Sequence, residues 1–92
     1  MGLTTRELSA VDETLQGNYT VWIREDVNGF WKIEIHVDEG RVYELDTTRG
    51  QRKSWRQMKD AVLFAKENCP RAKDVFVELE GWVLRRANDV TK

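Results

Sequence analysis

The sequence has one cysteine, one histidine and one proline. Each scarcity excludes something. A lone Cys69 rules out an intrachain disulfide and, with no apolar leader after Met1, leads to the expectation of a reducing, cytoplasmic setting. One imidazole, His36, and one thiol fall short of the three or four ligands that a nitrogen-and-sulfur metal site needs, so no metal or other cofactor is expected. No run approaches the roughly 20 apolar residues of a membrane span. Catalytic patterns are missing too: there is no Gly-x-Ser-x-Gly elbow, phosphate loop, dinucleotide fingerprint or zinc-protease helix motif. A non-enzyme with no small-molecule substrate is the resulting expectation.

With 92 residues, 40% of them apolar, the chain suits a single domain over 1–92 with one core. Four tryptophans, three phenylalanines and two tyrosines supply large buried areas, which offset the entropy of ordering a short chain without disulfides.

Residues 1–17 are polar and acidic apart from Leu8, Val11 and Leu15. Their i, i+3, i+7 spacing would form one stripe on a short helix begun near Thr4 or Thr5; the competing reading is a flexible arm ending at Gly17. From Tyr19 the period switches to two. Tyr19, Val21 and Ile23 alternate with Thr20, Trp22 and Arg24, and Trp31, Ile33, Ile35 and Val37 alternate with Phe30, Lys32, Glu34 and His36. Asn28-Gly29 between them provides positive φ angles for a hairpin, so these strands should be antiparallel neighbours. Asp38-Glu39-Gly40 turns the chain into a third strand over 41–46. A helix should follow, with Ser54 and Gln57 as a capping box, Trp55, Met58, Ala61, Val62 and Ala65 on its buried face, and Cys69-Pro70 as its stop. Val75, Val77 and Leu79 then alternate with Phe76, Glu78 and Glu80, and Glu80-Gly81 turns tightly into residues 82–86. The fold class expected is α+β, with a three-stranded meander, one main helix and a C-terminal hairpin (β-β-β-α-β-β), preceded by the short N-terminal helix or arm; the last residues, 90–92, should fray.

What is abundant is charge, unevenly placed. Up to residue 48 there are four basic and ten acidic side chains; from 49 onward there are eleven basic and six acidic, so formal charges of −6 and +5 lie hidden in a total of −1. The cations concentrate in Arg49, Arg52, Lys53, Arg56 and Lys59, within eleven residues that include no acid. Placed at and before a helix start, they sit where exposed amides and the helix dipole already disfavour positive charge by a few tenths to about 1 kcal/mol each. Two readings stay open. In one, the five receive phosphates of a polyanion, with Arg52 and Lys53 on the loop and Arg56 and Lys59 one turn apart on the helix. In the other, they are solubilising charges paired with the acidic meander, Arg52 with Asp46 or Glu44. Lys73, Arg85 and Arg86 would extend the surface if the last hairpin lay beside the helix start.

Other candidates read as ordinary structure. Asp38 and Glu39, with Glu44 and Asp46 nearby, look like a solvated acidic turn without calcium-loop spacing. His36 beside Glu34 reads as a partly satisfied surface histidine, and Cys69 as a half-buried thiol at a helix end. Trp22 and Phe30 fall in the polar phase of their strands. The N-terminal helix is expected to cover them; base stacking or a protein partner are the alternatives.

The run from Lys53 to Asn68, following a Gly-Phe-Trp-Lys strand at 29–32 and preceding a short hairpin, resembles small β-β-β-α-β-β proteins of unknown function found in bacteria and their phages, over roughly residues 19–88. The size, single domain, missing catalytic motif and split charge also resemble phage anti-CRISPR proteins. That likeness implies a phage-encoded inhibitor of a host CRISPR surveillance complex that blocks target nucleic-acid binding, and it transfers no functional residue. Many such proteins mimic DNA with acidic surfaces. The basic stretch here departs from that pattern and favours wedging between a protein subunit and the guide-RNA backbone. The alternative expectation is a stand-alone nucleic-acid-binding or regulatory module.

Overall fold

The computed structural model describes residues 2–37 and 40–86. It is α+β: a six-stranded mixed sheet in the order β1-β4-β3-β2-β5-β6 with two α-helices. The strands are β1 (Gly2–Leu3), β2 (Thr20–Glu25), β3 (Trp31–His36), β4 (Val42–Leu45), β5 (Asp74–Leu79) and β6 (Trp82–Arg85); the helices are α1 (Thr5–Leu15) and α2 (Met58–Asn68). The meander β2-β3-β4 and the hairpin β5-β6 are antiparallel as the alternation predicts. Asn28 at φ 60° and Gly29 at φ 75° turn β2 into β3 through a short 3-10 segment, and Glu80 and Gly81, also at positive φ, close the second hairpin. The expected turn at Asp38-Glu39 and the fraying at 90–92 lie outside the described residues.

Two pairings escape local patterning. α2 carries the chain from β4 across the sheet so that β5 joins β2 in parallel, Val21 against Val75 and Trp22 against Phe76, making one continuous sheet of meander and hairpin. The two-residue β1 adds to β4, also in parallel.

The N-terminal helix is present. Thr4 and Glu7 form a reciprocal capping box, and Leu8 is fully buried with Val11 and Leu15 packed beside the core. It does not cover Trp22, contrary to expectation. Leu8 shares one core with Val21, Ile23, Ile33, Ile35, Leu45, Ala61 and Ala65, so both helices lie on the odd-numbered face of the central strands and leave the even-numbered face open. The second helix also departs from expectation: it starts at Met58, and its cap residue Gln57 makes no side-chain capping bond. Residues 52–55 are drawn into extended pairing instead. Lys53 N–H donates to Leu45 O at 2.7 Å, and Trp31 and Trp55 exchange backbone hydrogen bonds at 2.7 and 2.9 Å. Two ladder bonds that also tuck Trp55 against Phe64 outweigh one side-chain cap.

Candidate functional site

The basic segment is a loop laid across one end of the sheet, and its five cations meet different fates. Arg49 is exposed in the turn closed by Thr47 N–H to Gln51 O. Arg52 bridges to the meander, with Nη2 2.7 Å from Asp26 Oδ2 and Nη1 3.6 Å from Glu44 Oε1. Glu44 is one of the two partners expected of it; Asp46 faces it instead through a backbone bridge. Lys53 is half-buried with Nζ 5.5 Å from the centre of the Phe64 ring, and exposed Arg56 lies 5.9 Å over Phe30. Lys59 is exposed in the first turn of α2. Arg56 and Lys59 are therefore not one helical turn apart, because Arg56 precedes the helix. Among the described residues no carboxylate lies within 4.0 Å of Arg49, Lys53, Arg56 or Lys59. The uncapped start of α2 adds unpaired backbone donors beside Arg56 and Lys59.

The hairpin cations do not extend this surface. Arg85 Nε is 3.1 Å from Asp74 Oδ1, and Arg86 donates to the carbonyls of Ala72 and Lys73 just beyond the other end of α2.

The open sheet face holds a second arrangement, which sequence reading found only in part. Trp22 stacks on Phe76 with ring centres 4.5 Å apart, His36 lies 5.5 Å from the indole, and the Arg24 guanidinium is 4.9 Å above it. Phe30 is not part of this cluster. Beside it Glu34, only 8% exposed, gathers Arg24 Nη1 at 3.4 Å, Lys32 Nζ at 3.3 Å and His36 Nε2 at 3.0 Å. Arg24 Nε also approaches Glu78 at 3.0 Å, in an alignment too poor for a hydrogen bond. Burial works to raise the Glu34 pKa, but the His36 hydrogen bond and the charges of Arg24 and Lys32 overcome it and hold the carboxyl below its usual range. At Lys32 burial works to lower the pKa, and hydrogen bonds to Glu44 and Glu34 reverse that and raise it. This face is a neutralised lattice of ion pairs around an aromatic stack.

A third cluster lies in the core. The Tyr19 hydroxyl donates to Asp12, whose carboxylate also accepts from Arg71 N at 3.0 Å and Arg71 Nη1 at 3.3 Å, tying α1 to the segment after α2. Cys69 is 1% exposed, so it is buried rather than half-buried, and burial pushes its thiol up to about 11. A thiol held neutral on the helix side of the sheet, with His36 on the other face, lacks the geometry of an activated nucleophile. Among the described residues no group of three His, Cys, Asp or Glu side chains could hold a metal ion, and no helix is long and apolar enough to cross a membrane.

Comparison with known proteins finds no matching family model, no matching curated protein and no matching solved structure, so what this chain does must be read from these residues.

Proposed function

We propose that the chain is a non-enzymatic binding protein that acts by obstruction on a nucleic-acid-containing complex, engaging anionic backbone through its basic loop. One observation carries this reading. The central open-face cations Arg24 and Lys32 are ion-paired, whereas Arg49, Lys53, Arg56 and Lys59 have no carboxylate in reach among the described residues, and Arg56 and Lys59 flank an uncapped helix start. Charge left unpaired near a positive helix end becomes favourable once phosphates arrive. Arg52 has a different part here: held by Asp26 and Glu44, it anchors the loop that presents the others. Asp26, Glu34 and Glu44 are each held in internal pairs.

An inhibitor of a CRISPR surveillance complex, working in the host cytoplasm, is the form that the sequence resemblance implies. The test is a pull-down from a CRISPR-bearing bacterial lysate with the wild-type chain and a variant in which Arg49, Arg52, Lys53, Arg56 and Lys59 are alanine, with and without nuclease. Recovery of one nucleoprotein complex by the wild type alone supports the proposal. Equal recovery by both removes the basic loop from it.

The second reading, a stand-alone nucleic-acid-binding module, uses the same loop and separates by salt dependence. A module binds free single strands with log K falling by about 0.7 per phosphate contact for each log unit of salt, or roughly 3 for four contacts. An inhibitor that needs a protein subunit binds free strands weakly and shows little of that slope.

A further inference from the structure

The edge of the sheet farthest from the basic loop is unfinished. Among the described residues β6 has one neighbour, β5, and all four of its residues are exposed. Trp82 is 73% exposed, Val83 50% and Leu84 48%. Natural sheets blunt an edge with charge, proline or a covering element; three consecutive large apolar residues do the opposite. Beside this strand lies an open, mainly apolar groove of about 600 Å³ between the second half of α2 and β5-β6, floored by Val62, Ala65, Cys69 and Val77, with Leu84 along it and Arg86 at its end.

The groove runs along β6 from Leu84 to Arg86, and the knob stands outside it at the other end of the strand. Trp82 adjoins the hairpin turn, while the groove reaches its far end at Cys69, Pro70 and Arg86, about 13 Å away along a strand rising roughly 3.3 Å per residue. Trp82 does not line its own groove and stands 73% exposed instead. The backbone settles which groups are free: Arg86 N–H donates inward to Val75 O, and antiparallel alternation then turns the backbone of Leu84 and Trp82 inward and that of Val83 and Arg85 outward. Outward groups at 83 and 85 pair with a second copy of the same strand when Val83 of one faces Arg85 of the other. That register sets Leu84 opposite Leu84 on the axis and Trp82 opposite Arg86.

We propose that β6 pairs two copies of this chain antiparallel about a twofold axis at Leu84, with each Trp82 entering the partner's groove and lying against its Arg86. The two copies form one continuous sheet, in which each exposed indole fills the other's groove and gains a cation over its ring. The partner is a second copy because the strand complements itself: its protrusion, its cavity and its outward hydrogen-bonding groups coincide under a single twofold. The interface is short, so the dimer is a weak, concentration-dependent one. It leaves the basic loop, on the β4 side of the sheet, uncovered, and so stands or falls independently of the proposed function.

The experiment is sedimentation of the full chain from micromolar to millimolar concentration, with three variants. The wild type should pass from monomer to dimer. Trp82→Ala should raise the dissociation constant at least about tenfold, and Val83→Pro, which deletes an outward N–H while sparing the β5 pairing, should abolish dimer with an unchanged circular-dichroism spectrum. Leu84→Cys should form a disulfide-linked dimer under mild oxidation, since a non-hydrogen-bonded pair sets its Cα atoms about 4.5 Å apart. Trp82→Cys should not, and buried Cys69 stays silent in both. A wild type that is monomeric at millimolar concentration, a dimer indifferent to Trp82→Ala and Val83→Pro, or cross-linking through position 82 as readily as 84 would each overturn the proposal.

Discussion

Alternate residues of the same strands build two faces of opposite character. Val21, Ile23, Ile33 and Ile35 lie under the helices at 0–1% exposure. Their neighbours Trp22, Arg24, Lys32, Glu34 and His36 face outward with no helix over them, and satisfy one another instead. The covered face gains free energy by removing apolar area from water. The open face gains it pair by pair, from stacked rings and shared carboxylates. Stability is thus concentrated on one side of the sheet, and the other side keeps its polar order without a lid.

The sharpest way to break this contrast is to remove matched side chains from each face. Ile33→Ala should cost about 2–5 kcal/mol in urea unfolding, a large share of the total for so small a domain. A loss below about 1 kcal/mol would mean that the helices do not seal that face. Glu34→Gln should cost less, about 1–3 kcal/mol, because it strips the charge that Arg24 and Lys32 share and to which His36 is hydrogen-bonded. It should also change the acid limb. The folded Glu34 pKa is lowered from 4.5, so its contribution is complete above that pH and is lost as pH falls through the lowered value. The wild type should therefore lose stability below about pH 4.5 more steeply than Glu34→Gln. The raised Lys32 works at the opposite end: its contribution is complete below 10.5 and is lost as pH rises through the folded value. Parallel acid limbs in the two proteins would show that Glu34 is not a focus of the open face.

A double-mutant cycle on Trp22 and Phe76 probes the smaller aromatic term. Each alanine alone should destabilise, and the pair should fall short of additivity by about 0.5–1.5 kcal/mol, the worth of one stacked contact beyond its area. An additive result would mean that the rings share a face without supporting each other.

How much of this was legible follows from sequence distance. The alternation from Tyr19 to Val37, Asn28-Gly29 and Glu80-Gly81 are local patterns, and each marked its element; the stripe of Leu8, Val11 and Leu15 offered the N-terminal helix beside a flexible arm, and the reciprocal bonds of Thr4 and Glu7 went unread. The stack of Trp22 on Phe76 was hidden because it depends on β5 crossing back to join β2 in parallel, which no turn specifies. A two-residue β1 has no period to read. The Ser54–Gln57 box was a genuine capping pattern that lost to a long-range rival, the backbone pairing of Trp31 with Trp55. That loss moved Arg56 off the helix. At the site, composition marked all five cations and offered Glu44 as one partner for Arg52, but Asp26, its shorter contact, comes from the β2–β3 turn and gave no signal.

The smallest effects should come from that loop, and their smallness is what makes them informative. Arg49→Ala and Arg56→Ala remove exposed cations with no carboxylate in reach among the described residues, so each should leave stability within about 0.5 kcal/mol. Lys59→Glu should raise it by about 0.3–1 kcal/mol, since it exchanges a cation for an anion in the first turn of α2. Thermal unfolding at low salt, where these charges are least screened, is the measurement. A residue that lowers stability where it stands is not retained for folding, so a gain from Lys59→Glu would mark it as a charge kept for something outside the molecule. A loss of about 1 kcal/mol would instead place Lys59 in an internal pair and return the loop to ordinary surface.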